Sequence, residues 1–253
     1  MMQLRSLLFV AYLYGLMAFM GTFFIIVLML PRRVIMWCIK AYTQAIRWGM
    51  KAICGIETEL RGLENLPDGP FIYAGKHQCM FDIFVPFLVT PDPVIVMKRE
   101  LLWYPFLGWY ALKSEMIPID RAGTTKTLRA MVAAARKRVA EGRQVVIFPE
   151  GTRTAPGDAP HYHAAGIVGL YKALGVPVVP VATNAGLCWP AHGTRRRSGR
   201  IVYEFLPPIE AGLDRKTMMR RLQTDMEASV DALVREGLAV QGRTQLIQDP
   251  QAT

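Results

Sequence analysis

Hydrophobic positions near the start of the chain form a continuous run and then a helical pattern. The 25 residues from Ser6 to Leu30 carry no charge, and at about 1.5 Å per residue such a helix can cross a hydrocarbon core of about 30 Å. The next stretch mixes apolar residues with bases on one helical face, and these bases are Arg33, Lys40, Arg47 and Lys51. The pattern predicts a membrane anchor over residues 1–56, made of an apolar helix and a basic amphipathic helix.

From residue 57 onward, short apolar runs alternate with helical patterns and turns. Strands are predicted at residues 71–74, 94–97, 116–119, 145–148, 176–182 and 201–205. Helices are predicted at residues 80–89, interrupted at Pro86, and at 124–142, 164–174 and 214–236. Because strands and helices alternate, parallel pairing is favoured. The predicted fold class is α/β, a single domain over residues 57–236 with a mostly parallel central sheet flanked by helices. A mobile tail is expected over residues 237–253.

The positive charge of the chain indicates that membrane lipid is one of its partners. The chain of 253 residues is 52% hydrophobic, carries a net charge of +10, and has six basic residues before its first acidic residue, Glu57. Anionic headgroups would therefore attract the N-terminal region. One base, Arg5, precedes the apolar run and five follow it, which predicts an inner (cytoplasmic) membrane protein with its folded domain facing the cytoplasm. No zinc-finger, RNP or helix-turn-helix pattern accompanies the charge, so nucleic acid is not an expected partner.

Cysteine and histidine positions give no metal signal. The four cysteines are scattered along the chain, which is typical of reduced thiols. His161 and His163 lack a third ligand at a recognisable spacing, so no metal site is predicted. The basic residues Arg195 to Arg197 and Arg200 predict a solvated loop, with contact to a headgroup or to a cofactor phosphate as the alternative.

Two motifs carry candidate chemistry. His77 and Asp82 lie five positions apart across a predicted strand-to-helix turn, where an imidazole can act as a general base and a carboxylate can orient it. Residues 148–153, Phe-Pro-Glu-Gly-Thr-Arg, follow a predicted strand. Their arginine supplies a guanidinium, and their glycine leaves backbone N–H groups available, so the segment suits binding of a phosphorylated acceptor. Together the motifs predict acyl transfer. Asp82 could instead cap the following helix, and Arg153 could be a surface ion-pair partner.

Four blocks occur in order along residues 57–182 and resemble the glycerolipid acyltransferase family, which includes 1-acylglycerol-3-phosphate acyltransferases. They are residues 77–82, 117–121, 148–153 and 176–181. The resemblance implies that His77 deprotonates the free hydroxyl of a lysophospholipid, that Asp82 holds the imidazole, and that the oxygen attacks an acyl thioester.

The resemblance also implies an acceptor site. Its expected phosphate-binding and acceptor-lining residues are Lys76, Arg121, Glu150, Gly151, Thr152 and Arg153. Three positions depart from the family pattern. Lys76 stands where Asn or Ser is common, Cys79 where Ser is common, and His163 where Lys is common. A cation at Lys76 would oppose imidazolium formation unless a phosphate or Asp82 offsets it.

The expected function is that of a membrane-bound 1-acylglycerol-3-phosphate O-acyltransferase. Its donor would be acyl-CoA or acyl-carrier protein, and no cofactor or metal is expected. One alternative keeps the chemistry and changes the acceptor to a lyso-ornithine lipid or another lysophospholipid, since Lys76 and His163 depart from the pattern. A second alternative is a membrane-anchored lipid-binding protein without activity.

Overall fold

The computed structural model describes residues 2–27, 29–120, 124–243 and 245, with the backbone alone at residues 23–27. Its helices are α1 (Met2–Val27), α2 (Arg32–Gly49), α3 (Val85–Val89), α4 (Leu107–Lys113), α5 (Thr125–Ala140), α6 (Ala164–Leu174) and α7 (Arg215–Val240). Its strands are β1 (Ile56–Arg61), β2 (Ile72–Gly75), β3 (Pro93–Lys98), β4 (Ile117–Ile119), β5 (Gln144–Ile147), β6 (Val178–Thr183) and β7 (Gly199–Phe205).

The strands form one sheet of seven in the order β1-β7-β6-β2-β5-β3-β4. All neighbouring pairs are parallel except β6 and β7. The carboxyl ends of β6, β2, β5, β3 and β4 therefore share one edge, where polar side chains that follow the strands can meet. β2 and β5 are direct neighbours, so the chain segments after Gly75 and after Ile147 emerge side by side. The α/β prediction with a mostly parallel sheet is confirmed.

Side chains of the sheet alternate between two cores, as the pleat requires. In β2, Ile72 and Ala74 face a core formed with α5, α6 and α7. Tyr73 faces the opposite core, which contains Phe9 of α1, Ile46 of α2 and Phe81 from the turn after β2. The N-terminal helices are thus packed on the α/β domain and share a core with the turn that holds Asp82.

The helix α1 is long and apolar enough over Met2–Thr22 to cross a membrane, by length and composition. The basic face predicted for this region is divided. Lys40 donates to the carbonyls of Thr90 and Pro91, and Arg47 donates to Thr58 O, so these two cations dock α2 onto the domain. Arg33 and Lys51 are exposed, as are Trp37 and Trp48 of α2, at 69% and 64%. The helical periodicity placed these basic residues on one face of the helix. It did not show whether that face contacts the membrane or the domain.

Several element predictions needed correction. The helix expected at residues 80–89 is a 3-10 turn at Met80–Ile83 followed by the short α3, because Asp82 binds backbone N–H groups inside the turn. The strand β1 was not predicted, since its sequence Ile-Glu-Thr-Glu-Leu-Arg is polar. The tail was expected from residue 237, but α7 continues to Val240 and Leu238 is buried. Residues 244 and 246–253 of the expected tail lie outside the described residues.

Close packing of α1 on α2 generates a stability prediction. Tyr12 crosses α2 and donates to Ala45 O at 2.9 Å, and a Cβ added at Gly49 would lie 2.3 Å from Tyr12 Cε1. We expect Gly49→Ala to lower the free energy of unfolding by about 1 to 3 kcal/mol, because the ring is held by its hydroxyl and must move. Thermal unfolding in detergent measures the change.

The matched control is Gly15→Ala in α1, where an added Cβ meets nothing within 4 Å. This variant should be neutral or slightly stabilising, since alanine is favoured over glycine in helices. Equal Tm values for the two variants would contradict the packing of α1 on α2.

Candidate active site

The carboxylate of Asp82 is the centre of the site. It is 1% exposed and accepts five hydrogen bonds. Its Oδ2 accepts from His77 Nδ1 at 3.0 Å, from Gln78 N at 2.6 Å and from Cys79 N at 2.7 Å. Its Oδ1 accepts from Cys79 Sγ at 3.2 Å and from Tyr203 Oη at 2.8 Å. Asp82 therefore caps its own turn and holds the histidine ring, so the two roles considered from the sequence coexist.

The thiol of Cys79 and the hydroxyl of Tyr203, which both contact Asp82 Oδ1, are protonated donors at neutral pH. Burial, together with the charge of Asp82, raises the pKa of the Cys79 thiol well above its usual value. Burial and the same charge raise the pKa of Tyr203 in the same way. A protonated thiol therefore fills the position where serine is common in the family, and it donates to the same carboxylate.

The ring of His77 is oriented from two sides. Its Nδ1 contacts the carboxylate of Asp82, which selects the tautomer with hydrogen on Nδ1. The ring of Phe148 stacks beside it, with centroids 4.5 Å apart and planes tilted by 30°. The side chain of His77 is 15% exposed, and its Nε2 has no partner among the described residues. This nitrogen is free to accept a proton from an alcohol.

The third sequence block binds the backbone of His77. Glu150 Oε2 accepts from His77 N at 3.0 Å, and Thr154 N donates to His77 O at 2.8 Å. The Thr154 hydroxyl donates to Glu150 Oε1 at 2.8 Å. Because β2 and β5 are adjacent, the loops that follow them are held together at the same edge. The carboxylate of Glu150 is 1% exposed and holds the loop of the base, and its predicted lining role stays a prediction.

Lys76 lies in a buried ion-pair network. Its Nζ is 2.8 Å from Glu150 Oε1 and 2.9 Å from Glu227 Oε1, and the hydroxyl of Tyr162 donates to the same Glu227 oxygen at 2.5 Å. Burial lowers the pKa of Lys76, but the charges and hydrogen bonds of the two glutamates outweigh burial and leave it raised. The ammonium is therefore neutralised inside the protein. The two ion pairs give Lys76 a structural role, and its role in phosphate binding stays a prediction.

The remaining predicted acceptor residues follow β5 in an open loop. Gly151 has φ of +67°, and a Cβ there would lie 2.8 Å from the ring of His163, so glycine fits the left-handed turn and leaves room for the ring. Thr152 and Arg153 are exposed, and their acceptor roles stay predictions. Arg121 lies outside the described residues. No cluster of three metal-ligating side chains occurs in the described part of the chain.

Three contributors to this site carried no signal in the sequence blocks. Tyr203 reaches Asp82 from β7 across 121 positions, and Glu227 reaches Lys76 from α7 across 151 positions. Tyr162 binds Glu227 from the loop before α6. These contacts arise from tertiary packing, and the only available hint was that a buried Lys76 requires a carboxylate.

The buried network predicts the effect of removing its cation. Lys76→Gln leaves Glu150 charged and buried, so we expect the free energy of unfolding to fall by about 3 to 5 kcal/mol. The control is Lys98→Gln, which removes an exposed pair with Glu100 and should leave the Tm nearly unchanged. Thermal unfolding in detergent compares the two. A wild-type Tm for Lys76→Gln would contradict the structural role of Lys76.

Comparisons with known proteins agree with the sequence blocks. A family model described as acyltransferase matches residues 57–184. A 1-acyl-sn-glycerol-3-phosphate acyltransferase of Pseudomonas aeruginosa is 32% identical over 207 residues, covering 82% of this chain and 78% of that protein. The protein of the same name from Haemophilus influenzae is 30% identical over 161 residues, covering 60% of this chain and 62% of that protein.

The fold has a similar counterpart among solved structures. The crystal structure of a 1-acyl-sn-glycerophosphate (LPA) acyltransferase from Thermotoga maritima matches with a TM-score of 0.74 at 20% identity, covering 92% of this chain and 99% of that chain. At this identity the likeness concerns the fold alone, and it extends over nearly the whole chain. The family match and the Pseudomonas aeruginosa relative show that the chain belongs to the acyltransferase family.

Proposed function

We propose that this protein moves an acyl chain from a thioester to the 2-hydroxyl of 1-acylglycerol-3-phosphate, giving phosphatidate. The observation that carries the proposal is the contact of 3.0 Å between His77 Nδ1 and Asp82 Oδ2, which leaves Nε2 free at the edge where the third block lies. The names of the similar proteins support this acceptor, and Arg153 supplies an exposed cation in the same loop system.

The proposed reaction is a direct transfer. Nε2 of His77 takes the proton of the acceptor hydroxyl while its oxygen attacks the thioester carbonyl, and the charge that develops on the ring is stabilised by Asp82. The carbon–sulfur bond then breaks, the new ester remains, and the departing thiolate takes the proton from His77. Holding the two substrates together contributes further to the rate. The proposed mechanism uses side chains of the protein alone and calls for no cofactor or metal.

The donor and the membrane placement belong to the same proposal. Acyl-CoA and acyl-carrier protein both present a thioester, and either suits this chemistry. The helix α1 is a candidate membrane anchor, and the excess of basic residues after it supports an active site on the cytoplasmic side of the inner membrane. Since α1 and α2 share a core with the turn of Asp82, an anchored protein would hold this turn near the lipid surface.

One of the two reasons for considering a different acceptor no longer holds. Lys76 departs from the family pattern, but its ammonium is paired with Glu150 and Glu227 inside the protein, so it does not argue against a phosphorylated acceptor. The imidazole ring of His163 lies beside the backbone of Gly151. A lyso-ornithine lipid or another lysophospholipid remains the comparison substrate in the assay, and thioester-dependent acylation of any lysolipid would exclude the inactive lipid-binding alternative.

The role of His77 is tested by substitution. We expect His77→Ala to lower kcat by about 10² to 10⁴, because the variant lacks the general base. His192→Ala removes an exposed histidine and serves as the control. Purified protein is assayed with acyl-CoA and 1-acylglycerol-3-phosphate beside phosphate-free lysolipids, and products are identified by mass spectrometry. Normal turnover by His77→Ala would contradict the mechanism, and preference for a phosphate-free acceptor would overturn the proposed substrate.

Tyr203 is expected to act through Asp82 as a positioning residue. Removing its hydrogen bond to a charged group by Tyr203→Phe should lower kcat about tenfold with little change in KM, because four other donors remain on the carboxylate. Tyr171→Phe is the control, since its hydroxyl donates to Glu210 O away from the site. Steady-state kinetics compare the variants. A kcat equal to that of Tyr171→Phe would refute a positioning role for Tyr203.

A further inference from the structure

Arg196 is a buried cation in the segment between β6 and β7. It is 7% exposed, and its guanidinium lies over the ring of Trp189 at 4.3 Å. Its Nη1 donates to the carbonyls of Gly193 and Arg195, while its backbone N donates to Ser6 Oγ at 2.8 Å. The solvated loop predicted here is therefore wrong at this position, because α1 and Trp189 cover the side chain.

A comparison with the other buried cations shows what Arg196 lacks. Three basic side chains are buried among the described residues, namely Lys76, Arg143 and Arg196. Lys76 has Glu150 and Glu227 beside it. Arg143 lies 3.3 Å from Asp92 and 3.5 Å from Glu115. No carboxylate of the described residues contacts Arg196. Two of the three buried cations thus have two carboxylates nearby, and Arg196 has none among the described residues.

An uncompensated buried charge is costly. Burial lowers the pKa of Arg196 to about 10, which expresses this cost, and its Nε is a buried donor without a hydrogen-bond partner. Stacking on Trp189 and two carbonyl contacts offset part of the cost. An anion bound at the guanidinium would supply the missing charge and accept from the unused donors.

The position of Arg196 connects it with the active site. The turn Ala185–Leu187 is tied to the residue after the base, since Gly186 N donates to Gln78 Oε1 at 2.9 Å. A Cβ at Gly186 would lie 2.5 Å from Pro156 Cδ, so the loop of Arg153 packs on this turn as well. Arg197 N donates to Cys188 O just beyond the turn.

We propose that Arg196 binds a phosphate group of a substrate, from the segment that packs on the same turn as the loop of Arg153. The inference rests on the proposed function, which supplies two substrates with this chemistry. The acceptor carries a phosphate monoester, and acyl-CoA carries phosphates on its nucleotide. A planar guanidinium with free N–H groups matches phosphate oxygens in both.

The test uses Arg196→Gln with Arg195→Gln as its matched control. Arg195 is the neighbouring residue, carries the same charge and is exposed. KM is measured for 1-acylglycerol-3-phosphate at saturating acyl-CoA, and for acyl-CoA at saturating acceptor. We expect Arg196→Gln to raise one KM about tenfold or more with a smaller change in kcat. Arg195→Gln should change either KM less than about twofold. The affected KM identifies the substrate whose phosphate is bound.

A binding measurement separates this inference from the proposed function. The matching phosphate compound, glycerol 3-phosphate if the KM for the acceptor changes or coenzyme A if the KM for acyl-CoA changes, should raise the Tm of wild type and Arg195→Gln in detergent, but not that of Arg196→Gln. If wild type fails to acylate 1-acylglycerol-3-phosphate while this pattern holds for either compound, the proposed function is wrong and the phosphate site stands. If both compounds shift the Tm of Arg196→Gln as much as that of wild type, and neither KM changes, the phosphate site is refuted.

A second variant decides the case if Arg196→Gln does not fold. Arg196→Lys keeps the charge and an apolar stem over Trp189, but it replaces the planar fork by a single ammonium. We expect it to fold and to raise the affected KM severalfold. If both KM values stay within about twofold of wild type, a purely structural role for Arg196 is established and the inference fails.

Discussion

The buried carboxylate of Asp82 is the interaction on which the site depends. An acceptor without partners in the interior costs about 1 to 3 kcal/mol for each lost bond, so the fold must bring donors to both oxygens. They come from the turn itself, from the ring of His77, and from Tyr203 on β7. Satisfying one carboxylate therefore fixes the turn after β2, the angle of the imidazole and the distance of that turn from β7.

Charge is distributed unequally around this centre. Behind His77, the ammonium of Lys76 is neutralised by two glutamates, one of which also holds the backbone of the base. On the side of the open loop, Arg153 is exposed and Arg196 is buried without a carboxylate. The arrangement leaves positive charge where we propose that a phosphate binds, and it neutralises the cation behind the base, where a free charge would oppose imidazolium formation.

The sequence predicted what is local and left out what is tertiary. Periodicity located most strands and the helices α5, α6 and α7, because their apolar positions repeat at the spacing of one buried face. The ordered blocks located His77 and Asp82. The partners Tyr203 and Glu227 lie 121 and 151 positions from the residues they bind, and no local pattern reports such contacts. The polar β1 was missed for the same reason, since only its pairing with β7 makes it a strand.

The state of the His77 ring tests the central claim most directly. Nitrogen-15 NMR of histidine-labelled protein in detergent, with His77→Ala to assign the signal, reports which ring nitrogen carries hydrogen. The contact with Asp82 predicts a neutral ring protonated at Nδ1, with an unprotonated Nε2, and loss of this preference in Asp82→Asn. A ring protonated at Nε2 in wild type, or an unchanged tautomer in Asp82→Asn, would contradict the claim that the buried carboxylate prepares the base.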